Sequence, residues 1–258
     1  MFSIISRHVA GKMNFYSDQE GIISRYINEK ENWDPHLANC KNYLISCLEN
    51  KPVKTVSVLG SGWLLDVPVE FMADNFTKIY LYDIRHPSQV IHKLSRYSCF
   101  ELVTADITGG FANNIFELVK KFKKTKSKPD PESLNYPVFK YQYESDYYIS
   151  LNILNQLDIL LADYLKTSGM YTESELIPFR AGIQNAHIKC LPERKSCIIS
   201  DYEEFIYDKN DKLIERKNLL YAKFNSPENV KKWQWVFDTT GNYNKNNKTV
   251  FNVVAQEL

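Results

Sequence analysis

Short apolar runs alternate along the chain with segments whose apolar residues recur at helical spacing. The short runs are rich in β-branched and aromatic residues and predict four strands, at residues 55–59, 78–84, 100–104 and 147–151. The segments between them predict helices, at residues 64–76, 88–97, 111–122 and 157–167. Strands and helices in this alternation favour crossover connections and a largely parallel sheet.

The chain before the first strand carries signals for two helices. Residues 17–20 (Ser-Asp-Gln-Glu) have the spacing of a capping box and precede apolar residues on one helical face. Asp34 and Pro35 have the pattern of an N-cap followed by proline at the first helical position. We therefore expect a single domain in which residues 1–53 form a helical extension and residues 54–258 form the main body.

The last third of the chain changes from a helical to a strand-rich pattern. A second capping box at residues 172–175 opens a helical segment that Pro178 should kink and that we expect to continue to Cys190. Strands separated by polar turns follow Ser196, and the chain closes with two predicted antiparallel strands, at residues 233–238 and 249–258. On one of these strands Trp233 and Trp235 alternate, so both should pack on the same face.

Composition narrows the class of protein without choosing a function. Hydrophobic residues make up 44% of the 258 residues, charged residues 24%, and the net charge is +1. These values are typical of a soluble globular protein and give no global attraction to nucleic acid or to a membrane surface. Six lysines fall within residues 120–128, in a stretch expected to be a linker or a solvated face at the amino edge of the sheet.

The cysteines and the N-terminus favour a cytoplasmic protein. The five cysteines are scattered without a CxxC pair, a pattern that suggests reduced thiols and no metal site: Cys40, Cys47, Cys99, Cys190 and Cys197. The apolar residues before Arg7 are too few for the core of a signal peptide. No apolar run approaches the roughly 20 residues that span a bilayer.

Glycines and polar residues stand where the predicted parallel strands end. They are Gly60, Ser61, Gly62, Asp83, Asp106, Ser150 and Asn152. Ligands bind at the carboxyl ends of the strands in an open parallel sheet, so these residues should lie together. A carboxylate after the second strand can accept both hydroxyl protons of a ribose, and one after the third can accept a proton from the exocyclic amine of adenine. Together they describe a site shaped for adenosine.

Each of these residues also has an ordinary structural explanation. Gly60 and Gly62 suit any tight turn from a strand into a helix. Asp83 could cap the following helix, and Asp106 could be an ordinary turn residue. Asn152 either lines the site or satisfies exposed backbone groups.

The order of these motifs resembles that of class I S-adenosylmethionine-dependent methyltransferases. Residues 150–157, "SLNILNQL", are similar to a fourth-strand segment of members that act on small molecules. The resemblance implies an α/β fold with a Rossmann-like, mostly parallel seven-stranded sheet, flanking helices and an antiparallel C-terminal hairpin. It also implies S-adenosylmethionine as cofactor, bound by the glycines and polar residues at the strand ends: Gly60, Ser61, Gly62, Asp83, Asp106, Ser150 and Asn152.

The first-strand turn departs from the family pattern. No acidic residue precedes it, and Leu65 occupies the position of the third glycine in a dinucleotide fingerprint. Asp66 lies beyond the turn and could supply the missing carboxylate from the other side. Two alternatives therefore stand beside a methyltransferase: a methyltransferase-like protein that binds without catalysis, and an NAD(P)-dependent oxidoreductase.

The sequence leaves the catalytic base unassigned. Methyl transfer depends mainly on proximity and alignment, and it needs a base only where the acceptor must lose a proton. His187 is a weak candidate, because it shares a helical face with Ile183 and Ala186 and suits a packed histidine better. Since the chain shows no distinct basic face, we expect a small-molecule acceptor, methylated at oxygen or nitrogen, with nucleic acid a less favoured substrate.

Overall fold

The computed structural model describes residues 4–224 and 228–258. Residues 1–3 of the predicted helical extension lie outside this part of the chain. The described strands are β1 Thr55–Leu59, β2 Lys78–Asp83, β3 Phe100–Thr104, β4 Tyr147–Leu151, β5 Ser196–Tyr207, β6 Leu213–Asn218, β7 Glu228–Asp238 and β8 Lys248–Glu257. The described α-helices are α1 Arg7–Lys12, α2 Phe15–Asn28, α3 Lys30–Leu48, α4 Val69–Asn75, α5 Ser88–Leu94, α6 Phe111–Thr125, α7 Gln156–Thr167 and α8 Leu176–Ile188.

All of these strands belong to one sheet, in the order β3-β2-β1-β4-β5-β8-β7, with β6 paired to β5. The first five strands of this order pair in parallel, and β6, β7 and β8 pair antiparallel. This confirms the predicted Rossmann-like α/β fold with an antiparallel C-terminal hairpin. The sheet has one strand more than the predicted seven, because β5 is 12 residues long and its second half projects past β4 and pairs with β6.

Helices cover both faces of the sheet. One hydrophobic core lies between the sheet and α1, α6, α7 and α8, and the other between the sheet and α3, α4 and α5. Burial on both faces explains why the parallel strands are continuous apolar runs in the sequence. Within the described ranges, no helix combines the length and apolar character needed to cross a membrane.

The N-terminal segment forms three helices, so the prediction of two is wrong. Helix α2 begins at Phe15 after Asn14, which adopts a left-handed conformation, and the Ser17 hydroxyl donates to the Asn14 carbonyl instead of forming the predicted capping box. Helix α3 begins at Lys30 and includes Pro35 in its second turn, where proline removes one intrahelical hydrogen bond. Asp34 is therefore not an N-cap and instead forms an ion pair with Lys30.

The predicted helix at residues 64–76 is shorter than expected, and its late start changes the site. Helix α4 begins only at Val69, after Pro68, and Leu64 has a left-handed φ of 59°. The glycine turn is therefore followed by irregular chain and not by a helix N-terminus. The other helices in this part of the chain differ from the predictions by a few residues at their ends.

Helix α8 corrects the prediction for the segment after residue 172. The Glu175 carboxylate accepts hydrogen bonds of 2.9 Å from the Thr172 N–H and hydroxyl, but the helix itself begins at Leu176 and ends at Ile188. Pro178 lies in its first turn, where the absent N–H would have no intrahelical partner. Pro178 is therefore compatible with a regular helix.

Candidate functional site

A cavity of about 390 Å³ lies at the carboxyl ends of the parallel strands, between the sheet and helices α2 and α3. This volume is within the range of small-molecule sites. Six of the predicted cofactor residues line it: Gly60, Ser61, Gly62, Asp83, Asp106 and Asn152. Ser150 and His187 are not among its lining residues.

The two glycines of the first turn have different roles in the structure. Gly60 has a φ of 83°, and a Cβ there would lie 2.7 Å from the Ile153 Cβ and 2.8 Å from the Leu151 carbonyl oxygen. Gly62 has a φ of 45°, and a Cβ there would find no atom within 4 Å among the described residues. Gly60 is therefore required by the close approach of the chain after β4, whereas Gly62 leaves open space beside the cavity.

Asp83 ends β2 with its carboxylate held at the cavity wall. Its Oδ2 accepts a hydrogen bond of 2.7 Å from the Gly62 N–H, and its Oδ1 accepts one of 2.7 Å from the Ile84 N–H. Burial raises the pKa of Asp83, and the hydrogen bond from Gly62 opposes that rise. The hydrogen bond between Gly62 and Asp83 thus helps to fix the positions of both the glycine turn and the Asp83 carboxylate.

Gln19 of α2 is a site residue that the sequence did not reveal. Its Nε2 donates to the Asp83 Oδ1 at 3.2 Å and to the Arg85 carbonyl at 3.0 Å. The Trp63 indole in turn donates to the Gln19 carbonyl at 2.7 Å. These bonds fasten α2 over the turn, and only the packing of the N-terminal helices brings Gln19 to a carboxylate 64 positions away.

Asp106 combines the contacts of a turn residue with a place in the cavity lining. Its Oδ1 accepts from the Thr108 N–H at 2.9 Å and from the Thr108 hydroxyl, which itself accepts from the Phe111 N–H at 3.1 Å. Asp106 is thus a turn residue at the start of α6, and it also lines the cavity. Burial raises the pKa of its carboxyl group.

Asp66, Asn152 and Ser61 gather beside the glycine turn. The Asn152 Nδ2 donates to the Asp66 Oδ2 at 2.7 Å, and burial raises the pKa of Asp66. The Asn152 Oδ1 and the Ser61 Oγ are buried and find no hydrogen-bond partner in the described part of the chain. Asp66, which follows the glycine turn in the sequence, therefore brings a carboxylate to the cavity wall.

Ser150 and His187 pack against each other away from the cavity. The Ser150 Oγ lies 2.8 Å from the His187 Nε2, and both side chains are buried. Burial lowers the pKa of His187 to about 4, so the imidazole is neutral at physiological pH. This environment agrees with a packed histidine and gives it no access to a ligand in the cavity.

Opposite the glycine turn, α3 and the last strands contribute an aromatic wall. Its members are Trp33, Trp235, Phe237, Tyr243 and Phe251. Phe237 is central, with ring centroids 5.3 Å from Trp33, 4.9 Å from Tyr243 and 4.8 Å from Phe251. The predicted packing of Trp233 and Trp235 on one face is confirmed, because the Trp233 indole donates to His36 and Trp235 stacks on the same imidazole.

Asp201 brings a further buried carboxylate to the cavity, from β5. It lies beyond the end of β4, next to a β-bulge between β5 and β8. Its side chain is 4% exposed, and its Oδ1 has no hydrogen-bond partner within residues 4–224 and 228–258. Burial raises the pKa of Asp201 to about 7. A bulge re-aims a side chain relative to a regular strand, and no pattern in the sequence predicts this one.

The sequence matches no protein-family model and no curated protein. Solved structures that it resembles include the N-methyltransferase NodS from Bradyrhizobium japonicum WM9 (TM-score 0.37, 9% identity, covering 85% of this chain and 86% of that chain). Another is the 1,6-didemethyltoxoflavin-N1-methyltransferase from Burkholderia thailandensis (TM-score 0.43, 11% identity, 98% and 91%). Both were crystallised with S-adenosylhomocysteine.

Proposed function

We propose that this protein is an S-adenosylmethionine-dependent methyltransferase that acts on a small molecule at oxygen or nitrogen. The observation that carries the proposal is the buried Asp83 carboxylate, held at the cavity by the N–H of Gly62 in the turn after β1. In a parallel sheet this is the position at which a carboxylate can accept the hydroxyl protons of a ribose. Asp66, Asp106 and Asn152 also line the cavity and are available to other groups of the same cofactor.

The residues present fit the chemical groups of the cofactor. Asp106 offers a carboxylate to an adenine amine, and Asp66 offers one to the amino group of the methionine part. The unpartnered Ser61 Oγ and Asn152 Oδ1 belong to residues that line the same cavity as Asp66, and polar groups of the methionine part would satisfy them. Gly62 keeps the wall open at the same place.

The protein's own contribution is binding, orientation and exclusion of water. When bound, the cofactor would supply an electrophilic methyl group to the lone pair of the acceptor, and the electrons of the carbon–sulfur bond would stay on sulfur. Holding two reactants in line accounts for much of the acceleration of such a displacement. The cavity walls from α2, α3 and the aromatic wall provide that enclosure.

Calorimetric titration with S-adenosylmethionine, S-adenosylhomocysteine, NAD and NADP tests the proposal. We expect binding of the two sulfur compounds, and a ligand at 100 times its Kd should stabilise the fold by roughly 2.7 kcal/mol. Binding of NAD or NADP alone would support an oxidoreductase instead. Binding of both sulfur compounds, with no methyl transfer to any small molecule in a broad panel, would favour the non-catalytic alternative.

The variant Asp83→Asn tests the assignment of the ribose carboxylate. Asparagine keeps the size of the side chain but accepts only through one oxygen, so affinity for S-adenosylhomocysteine should fall by about tenfold or more. Asp74→Asn, an exposed position on α4, is the matched control and should leave the affinity unchanged. Unchanged affinity in Asp83→Asn, with the fold intact by circular dichroism, would show that the assignment is wrong.

A further inference from the structure

The cavity extends well beyond the strands that would hold a nucleoside. Asp83 ends β2, whereas the aromatic wall includes residues of β7 and β8, and the strands β1, β4 and β5 lie between them. Four strand spacings between β2 and β8 correspond to about 19 Å. The β5–β8 end of the cavity is therefore the part available to an acceptor.

Asp201 is the polar group that defines this end. A buried carboxylate with an unpartnered oxygen is destabilising, so its retention at a cavity wall points to a ligand that pairs with it. The Asn155 Nδ2 donates to the other oxygen, Oδ2, at 3.5 Å. Oδ1 has no hydrogen-bond partner in the described part of the chain, so the carboxylate keeps unused acceptor capacity beside the cavity.

The aromatic wall supplies the second element of recognition. Phe237 and Tyr243, which both line the cavity with Asp201, pack edge to face with ring centroids 4.9 Å apart. The rings of the wall offer faces and edges on which a flat apolar ring can pack. Aromatic faces also attract a cation that lies over them.

The charges around the cavity oppose an anionic acceptor. Six carboxyl groups line it: Asp18, Asp66, Asp83, Asp106, Asp163 and Asp201. Among the described lining residues the basic side chains are Arg25 and His36, and burial lowers the pKa of His36 to about 3. The Arg25 guanidinium lies over Phe237 at 4.8 Å and over Tyr243 at 5.2 Å, as part of the wall. A phosphate or carboxylate acceptor would meet net repulsion in this cavity.

We propose that the acceptor is an amine carried on a flat aromatic ring, with its ring packed on the aromatic wall and its ammonium group bound by Asp201. The Asp201 carboxylate accepts the proton that the nitrogen must lose before its lone pair can form the new bond to carbon. The inference rests on the proposed methyltransferase function, because it assigns the part of the cavity that the cofactor would leave free. It makes Asp201 a specificity-determining residue, since an alcohol of the same shape cannot place a positive charge beside the carboxylate.

Paired titrations of the protein saturated with S-adenosylhomocysteine test this inference. The probes are three amines and their hydroxyl counterparts: benzylamine and benzyl alcohol, phenethylamine and phenethyl alcohol, tryptamine and tryptophol. In at least one pair the amine should bind about tenfold more tightly than the alcohol, as a charged hydrogen bond predicts. The preference should fall to about one in Asp201→Asn.

Glu203→Gln is the matched control. It removes the same charge two residues along β5, where Glu203 instead forms an ion pair with Arg216. The control should keep the amine preference. No preference in any pair, or a preference that survives in Asp201→Asn, would overturn the inference.

Titration with S-adenosylhomocysteine alone separates this inference from the proposed function. Asp201→Asn should bind S-adenosylhomocysteine within about twofold of the wild type, because Asp201 lies at the acceptor end. A wild-type protein that does not bind S-adenosylhomocysteine would contradict the proposed function. The paired probes are then applied to the protein alone, where the absence of an amine preference would overturn the acceptor assignment as well.

Discussion

Two groups of buried polar side chains in this protein differ in how completely they are paired. The first, called here the interhelix cluster, consists of Asp158 on α7 with Arg180 and Gln184 on α8. The second consists of cavity residues with an unpartnered oxygen atom: Ser61, Asp106, Asn152 and Asp201. Both groups are enclosed by the same fold, so burial alone does not explain the difference.

The interhelix cluster is saturated with hydrogen bonds. Asp158 accepts from Arg180 at 2.6 Å and from Gln184 at 2.8 Å. Gln184 also donates to the Leu219 carbonyl at 2.9 Å, and its Oε1 accepts from the Tyr221 N–H at 2.8 Å. The cluster thereby ties the segment after β6 to the helical layer. A buried polar group stabilises a fold only when it is paired in this way.

The cavity residues lack this saturation, because one oxygen atom of each has no hydrogen-bond partner in the described part of the chain. Leaving a buried oxygen unpaired lowers the stability of the unliganded protein by about 1–3 kcal/mol. Binding of a ligand that pairs with the oxygen offsets this loss. The comparison therefore separates polar groups that hold the fold from polar groups that are available to a ligand. Variants in the two groups should show opposite effects on stability and on binding.

The largest expected effect comes from breaking the interhelix cluster. Arg180→Met leaves the buried Asp158 without its cation, and the free energy of unfolding should fall by about 3–5 kcal/mol, measured by urea denaturation. The double variant Asp158→Asn with Arg180→Met removes both charges and should recover part of this loss. A loss below about 1 kcal/mol in Arg180→Met would mean that the cluster does not hold the fold.

The next effect distinguishes the two glycines of the first turn. Gly60→Ala forces a Cβ against Ile153 and the Leu151 carbonyl at a positive φ, so it should lower the free energy of unfolding by about 2–4 kcal/mol. Gly62→Ala meets only the backbone strain and should lower it by about 1–2 kcal/mol. Thermal unfolding of both variants measures the difference. Equal losses would contradict the assignment of Gly60 to packing and Gly62 to the cavity wall.

The sequence predicts the strands of the parallel sheet to within one residue at each end. Residues such as Val56 and Ile149 are buried in strands covered on both faces, and such strands leave an apolar run that few other structures produce. Helix starts were less predictable because several residue types compete to cap them. Asp34 and Pro35 have a strong capping pattern, yet α3 begins earlier because its first turn is held by backbone bonds to Glu29.

The candidate site was predictable only where topology alone places residues. Asp83 and Asp106 follow strands, and the rule that parallel strands end at one edge brings both to the cavity. Ser150 lies within β4, and its side chain points to the opposite face, toward His187. Gln19 and Asp201 were missed because their positions depend on the docking of α2 and on a bulge in β5, which no local pattern encodes.

A smaller effect follows from the unpaired carboxylate of Asp201. Its pKa is about 7 in the folded protein and 3.8 ordinarily, so the folded state binds more protons than the unfolded state between these values. The contribution of Asp201 therefore destabilises the fold increasingly as pH rises through this window. Asp201→Asn lacks this titration and should be more stable than the wild type by at least about 1 kcal/mol near about pH 8, with a smaller advantage near about pH 4.

Urea denaturation of both proteins across this pH range measures the difference in the free energy of unfolding. The other acidic residues are the same in both proteins, so their contributions to the pH dependence cancel. An advantage of Asp201→Asn that does not change with pH would show that Asp201 keeps an ordinary pKa. A variant less stable than the wild type at all pH values would show that the carboxylate is paired.

The smallest effect on stability compares two buried serines, one paired and one unpaired. It is the sharpest test of the difference between the two groups, because the side chains are chemically identical. The Ser196 Oγ donates to the Pro192 carbonyl at 2.6 Å, whereas the Ser61 Oγ finds no partner among the described residues. Ser196→Ala should lower the free energy of unfolding by about 1–2 kcal/mol, while Ser61→Ala should change it by less than about 0.5 kcal/mol. The order should reverse for affinity toward S-adenosylhomocysteine, which should weaken about threefold or more in Ser61→Ala and stay unchanged in Ser196→Ala. If Ser61→Ala is as destabilising as Ser196→Ala and leaves affinity intact, the hydroxyl at the cavity serves the fold, and the distinction between the two groups fails at this position.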